Sequence, residues 1–337
     1  MVKSNTISSE YVYPFRFEPV YKDYIWGGDR IPRYFHRDVP SGIYAESWEI
    51  ADHPDGMSVV TNGSLAGQTL RDILKAHGPQ IVGPGRGYGQ FPLLIKLIDS
   101  RERLSVQVHP DDETARRLAS EPKTEMWYML DPEPGAQVYA GLKKGVGQSQ
   151  FEEALAAQKL EELLAPVKVR QGDAVFIPGG RVHAIDAGCL LLEIQQNSNT
   201  TYRVYDWGRV GADGKPRPLH LREALVATHW EDSFPTKVEP RRLDSIGLNA
   251  HWEILSTAYF RLERFELKEP LPLSTELRRF NALFVSHGSV RIEWQASFED
   301  LAFGSSCLVP AALGNYLLTP TAPAAEILRI TAPDLPV

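Results

Sequence analysis

Short apolar runs broken every few residues by Gly, Pro, Asn or Asp constrain this chain most. Phe91–Ile98, Leu104–Val108, Met126–Leu130, Ala174–Ile177, Leu190–Ile194, Leu283–Val285 and Ser289–Trp294 are too short for ordinary helices. They are bounded by residues that favour turns, so they read as strands of an antiparallel sandwich or barrel. Helical segments interrupt them at about 69–78, 111–120, 151–165 and 220–230. Thr69 is a cap-like start with Asp72 three residues on, and Gly78 a natural end. Phe151, Leu155, Leu160, Leu163 and Leu164 share one face of a helix. From about Asp244 onward the chain reads as strands joined by Pro-rich turns. The expected class is therefore mainly β, with residues 1–240 a helix-bearing β domain and 241–337 a smaller β-barrel domain.

A length of 337 residues allows that division with full hydrophobic cores. The net charge of −7 comes without a basic stripe, which argues against a nucleic-acid partner. No apolar stretch reaches the ~18 residues of a membrane span. Met1 to Phe17 shows no apolar run preceded by positive charge, as a secretory leader would. Cys189 and Cys307 both sit in apolar runs, as reduced thiols of a cytoplasmic protein do. Nothing in the sequence demands a partner interface, so a monomer or weak homodimer is expected.

Chemistry enters at Leu104-Ser105-Val106-Gln107-Val108-His109-Pro110-Asp111-Asp112. Side chains alternate along a strand, so Gln107 and His109 point to one face and offer an amide oxygen and an imidazole to one space. Two places can complete a metal site. Glu125 opens the strand after Lys123-Thr124, which would lie beside the Gln107 strand. His183 follows the turn Pro178-Gly179-Gly180, which swings the next strand's first residue inward. Two imidazoles, a carboxylate and an amide suit Zn²⁺, one per chain, or another first-row divalent ion. Each alone has an ordinary structural use, as a hydrogen-bonded core histidine or a solvated edge glutamate. From Gly172, the order Gly, five residues, Pro, one residue, Gly, two residues, His is that of the second motif of the cupin barrel. Gly83 to Gly89 lacks the flanking strand and helix of a nucleotide-binding loop, and reads as a loop or pocket flap before Phe91.

Lys96–Asp112, Lys123-Thr124-Glu125, His183 and the run from Leu192 to Asp206 together resemble type I mannose-6-phosphate isomerase (phosphomannose isomerase) in its short bacterial form, a family of the cupin superfamily. The resemblance begins near Tyr24-Ile25-Trp26-Gly27-Gly28 and extends to about Val210; beyond residue 245 it is architectural only. It implies cupin-type jelly-roll barrels, a zinc site, and interconversion of mannose 6-phosphate and fructose 6-phosphate. By position, the family's zinc ligands fall on Gln107, His109, Glu125 and His183 and its catalytic arginine on Arg203. Active-site lysines fall on Lys123 and Lys96, an active-site glutamate on Glu193, and an aromatic at the pocket mouth on Trp26. The chain departs from the family at Asn199, where Asp is frequent, and at Arg209, where longer members carry lysine. Asn199 cannot act as an acid or base, and both are read as substrate-binding.

Aldose–ketose isomerisation moves a proton between C1 and C2 through a cis-enediol(ate), so it needs a general base and a means of holding charge on oxygen. Lys123 and Glu193 are both candidates for the base. Arg203 suits an enediolate or a phosphate, because its planar fork holds two donors in fixed geometry. Arg181 is either an anion ligand or a surface residue. Two other readings use the same fold. A sugar-binding cupin without turnover is disfavoured by the full set of site residues. A cupin oxygenase is disfavoured by Gln107 where a histidine is usual.

Overall fold

The computed structural model describes residues 11–85, 89–211, 214–232 and 234–333. The chain is mainly β, and its described residues group into two compact units, one within 21–47 and 95–238, the other within 11–20, 48–94 and 239–333. Residues 11–20 and 48–94, written above into the first domain, thus group with the strands after residue 239.

A seven-stranded sheet, most of whose residues belong to the first unit, runs in the order Val20–Lys22, Glu46–Ile50, Leu93–Ser100, Cys189–Gln196, Glu125–Met129, Ala174–Ile177 and Lys237–Val238. A five-stranded sheet runs Tyr202–Tyr205, Val106–Val108, His183–Ile185, Gln137–Leu142 and Leu164–Lys168. Their inner faces share one core, with Trp127, Met129, Ile177 and Leu191 from the first sheet against Val138, Ala140 and Ile185 from the second. The opposite face of the smaller sheet is also covered. Val106, Val108 and Val204 pack there with Phe151 and Ala224 from the helices Gln148–Ala156 and Leu221–Ala227.

Alternation along the strands explains where polar groups collect. Glu125 precedes Trp127 by two, His183 precedes Ile185 by two, Glu193 follows Leu191 by two and Lys96 precedes Ile98 by two. The apolar member of each pair belongs to the shared core. With a side-chain period of two, each strand therefore carries an inward polar residue next to an inward apolar one. One expectation is corrected here. The Glu125 strand is not a neighbour of the Gln107 strand; it pairs with Ala174–Ile177 and Cys189–Gln196, while Gln107 pairs with His183 and Arg203 in the other sheet. The two ligand-bearing strands face one another across the interior.

The helices differ from expectation in two places. Thr69 caps as foreseen, accepting the Asp72 N–H at 3.1 Å, but the helix Leu70–Val82 does not end at Gly78. It kinks at His77 and continues, because Pro79 suits a first helical turn and Ile81 and Val82 are buried. The expected single helix over 151–165 is instead Gln148–Ala156, a 3-10 turn Leu160–Leu163 and the strand Leu164–Lys168. Gln158 takes a left-handed φ of 58° and Pro166 cannot prolong a helix, so the chain turns into a strand that pairs with Gln137–Leu142. The segments 111–120 and 220–230 contain Asp112–Leu118 and Leu221–Ala227. Part of the Gly83–Gly89 loop, residues 86–88, lies outside the described residues.

The second unit repeats the two-sheet plan. Six strands, in the order Arg241–Arg242, Ala250–Ser256, Arg261–Leu267, Ala325–Thr331, Asn281–His287 and Ser306–Val309, form one sheet. Leu271–Ser274, Asn315–Pro320, Val290–Trp294 and Ser297–Leu301 form the other, and Phe265, Val285, Ile292, Leu318 and Ile327 fill the core between them. On the same strand as Phe265, Glu263 is buried and ion-paired to Arg329 at 2.6 Å, His251 at 3.0 Å and Arg261 at 3.1 Å. Burial favours its neutral form, but the His251 hydrogen bond and the two arginines outweigh that and bring its pKa down to about 2. A carboxylate depressed on folding stabilises the fold above its unfolded pKa, and that contribution is lost as pH falls toward the folded value. Thermal melts are therefore expected to lose about 3 kcal/mol of stability from this group between pH ~4.5 and ~2. Glu263→Gln should remove that part of the acid dependence, and an unchanged dependence would refute the assignment.

Candidate metal centre

Four side chains converge between the sheets of the first unit. His109, Glu125 and His183 are buried and offer one donor atom each, all within 4.8 Å of one another. His109 Nε2 lies 3.3 Å from Glu125 Oε2, and His183 Nε2 lies 3.5 Å from Glu125 Oε1. Gln107, opposite His183 in the sheet, places its amide 3.3 Å from His183 Nε2. Rotating the amide by half a turn puts its oxygen at that point, since the two ends have the same shape.

The geometry holds His183 for this purpose. Its Nδ1–H donates to the Arg181 carbonyl at 2.8 Å, which leaves the lone pair on Nε2 facing Glu125. A backbone acceptor on the far nitrogen is how proteins orient a metal-ligating imidazole. Gly180 makes the approach possible, with a φ of +89° and the His229 ring standing 2.4 Å from where a Cβ would be. Both ring nitrogens of His109 are buried and make no hydrogen bond among the described residues. A buried imidazole is costly without a partner, and a divalent ion among these donors supplies one. Burial holds both imidazoles below their ordinary pKa, and in His109 the Lys123 charge adds to it, so they favour the neutral form a metal requires. The donor set therefore fits a metal ion.

Beside this cluster runs a chain of alternating charges. Lys123 Nζ is 2.8 Å from Glu125 and 3.4 Å from Glu193, and Lys96 Nζ is 3.4 Å from Glu193 and 3.3 Å from Glu46. All five are buried. Burial works against the Lys96 charge, but Glu193 and Glu46 overcome it and raise its pKa, so it stays an ammonium. Glu125 and Glu193 are pushed apart. Burial opposes ionisation of Glu125, yet Lys123 and His183 bring it down to about 2. In Glu193 burial and the Glu125 charge raise the pKa, against the pull of Lys96 and Lys123. Two neighbouring carboxyls with diverging pKa values divide into a fixed anion and a group able to exchange a proton.

The cavity above these residues measures about 260 Å³ and is lined by Trp26, Lys96, Gln107, Lys123, Glu125, Glu193, Asn199 and Arg203. Arg209 is not among its lining residues. Its guanidinium is held by Asp206 and by the Arg103 carbonyl, at 2.5 and 2.6 Å. Arg217 lines the cavity instead, also bound to Asp206, at 2.6 and 2.7 Å. Arg203 donates to the Pro218 carbonyl at 2.9 Å and forms no ion pair among the described residues. A half-buried guanidinium without a carboxylate is ready for an anion from solution. Arg181, by contrast, is buried and occupied by Asp232 and three backbone carbonyls, which rules out an anion-binding role. Sequence reading missed Glu46 and Arg217. Glu46 opens a strand, Glu46–Ile50, that is buried at every position, where a carboxylate needs a cation; nothing local in Glu-Ser-Trp-Glu-Ile announces that burial.

A family model described as the type I phosphomannose isomerase catalytic domain matches residues 14–138. A probable mannose-6-phosphate isomerase of Bacillus subtilis is 40% identical over 313 residues, 92% of this chain and 97% of its own length. A second mannose-6-phosphate isomerase of that organism is 34% identical over 309 residues, 90% of this chain and 95% of its own. Among solved structures, a mannose 6-phosphate isomerase from Bacillus subtilis matches with a TM-score of 0.87 at 29% identity, covering 94% of this chain and 99% of that one.

Proposed function

Since the chain belongs to the type I phosphomannose isomerase family, we propose that it interconverts mannose 6-phosphate and fructose 6-phosphate. One observation carries the reading. Glu125 of the buried donor cluster, the Gln107 amide, a carboxyl of raised pKa and an arginine that forms no ion pair among the described residues line one cavity of this unit.

Gln107, His109, Glu125 and His183 would hold the ion, and their N/O donor set suits zinc. When bound, such an ion draws electron density from the sugar's carbonyl and eases loss of the neighbouring proton. Glu193 is the preferred base for carrying that proton between C1 and C2, since its raised pKa suits both taking and returning it. Lys123 lies between two carboxylates, which makes it a donor to sugar oxygen rather than a base. Lys96 holds Glu193 from the other side. Arg203 holds charge on the enediolate or the phosphate, with Arg217 beside it. Trp26 and Asn199 complete the wall, and Arg209 acts only through Asp206. Catalysis is assigned to the N-terminal region ahead of residue 240.

Among the described residues no helix is long and apolar enough to cross a membrane. Two buried free cysteines support a cytoplasmic setting, and a monomer or weak homodimer goes with the reading.

The decisive experiment couples fructose 6-phosphate formation from mannose 6-phosphate to a reporter enzyme, before and after chelation. Turnover is expected to vanish with the chelator and return with zinc. No turnover with metal restored would overturn the assignment.

A further inference from the structure

The second unit has a concavity of its own, about 760 Å³, which shares no lining residue with the cavity above. Strand alternation explains its character. Val290, Ile292 and Trp294 form one inward row of Val290–Trp294, and Tyr316 and Leu318 form one of the neighbouring Asn315–Pro320. Both rows are apolar core until they reach the concavity, where they end in aromatic rings.

Trp294 is partly buried against the core, and its indole N–H makes no hydrogen bond among the described residues. The exposed amides of Gln295 and Asn315 border the same space, also without a side-chain partner among the described residues. Glu293 lines it too, with one carboxylate oxygen accepting from Thr319 at 2.7 Å. Arg329 brings no free positive charge to this wall, because its guanidinium is committed to Glu263 at 2.6 and 2.9 Å.

A ligand that suits this wall has a flat C–H face for the indole, hydroxyls for planar amides, and no negative charge. Indole is large, rigid and polar at one edge, which fits it to such a face. We propose that this concavity binds a neutral pyranose unit, of a free sugar or a short oligosaccharide. It thus differs in ligand class from the arginine-bearing cavity, which fits a sugar phosphate, and the proposal does not rest on the catalytic reading.

The test titrates the full chain with mannobiose and cellobiose, followed by calorimetry and saturation-transfer NMR. Wild type should bind at least one of them with a Kd on the order of 1 mM. Trp294→Ala should weaken binding at least about tenfold while isomerase turnover is unchanged, and Trp294→Phe should retain most of it. The surface double variant Gln295→Ala/Asn315→Ala, which removes no core atom, should weaken binding independently of any folding defect. Arg203→Ala should bind like wild type. Absence of binding at about ten times the expected Kd would overturn the proposal. So would binding that survives both the Trp294 and the double variants, or that is lost in Arg203→Ala.

Discussion

Replacing Arg203 with alanine is expected to lower isomerase turnover by roughly 10²–10³-fold while metal content stays at the wild-type level. The guanidinium is half buried, donates to the Pro218 carbonyl and has no carboxylate within ion-pair distance among the described residues. Burial and the nearby Arg217 charge both lower its pKa, so the residue stands in a field that already favours an incoming anion. Removing it leaves the four metal donors untouched, because none of them bonds to its side chain. Arg203→Lys should recover only a fraction, since a point charge lacks the two-pronged fork. The coupled assay and elemental analysis on one preparation separate the two effects. Turnover within a few-fold of wild type in Arg203→Ala would remove the residue from the mechanism.

His109→Ala is expected to produce the opposite pattern, with metal content falling first and turnover falling with it by about 100-fold or more. Among the described residues neither of the ring's nitrogens makes a hydrogen bond, so its loss breaks none. The fold should therefore survive, with an unshifted far-ultraviolet spectrum and a thermal transition close to that of metal-free wild type. Full metal occupancy in this variant would show that the ion, if any, sits elsewhere.

The two experiments test residues the sequence made visible, and the reason for that visibility is local. Gln107 lies in the short strand Val106–Val108 with His109 one residue past its end, and His183 follows a turn whose glycines are required by backbone geometry. Glu125 was legible as a residue but misplaced as a neighbour. Antiparallel pairing joins strands far apart in the chain, and no local pattern says that Glu125 aligns with Gln195 and Ile177 rather than with the Gln107 strand. The arginines show the same limit. The loop after Asp206 doubles back through the bridge between Val210 and Pro216, so Arg209 and Arg217 reach one carboxylate while only Arg217 borders the cavity. Spacing from Arg203 could not distinguish them. The 151–165 segment failed differently: its apolar spacing is helical, but the left-handed Gln158 and the strand-pairing of Leu164–Lys168 override it.

The alternating chain from Glu46 through Lys96, Glu193 and Lys123 to Glu125 restricts how this site can vary over generations. Neutralising an interior member breaks two buried ion pairs at once and leaves its neighbours only their remaining partners, at a cost of about 3–5 kcal/mol per broken pair. A domain's whole margin is only about 5–15 kcal/mol, so single steps through the middle of the chain threaten folding before they alter chemistry. Descendants can reach a different charge pattern here chiefly through paired, compensating changes, whereas Asn199 and Arg217 at the rim remain free to drift singly toward new substrates.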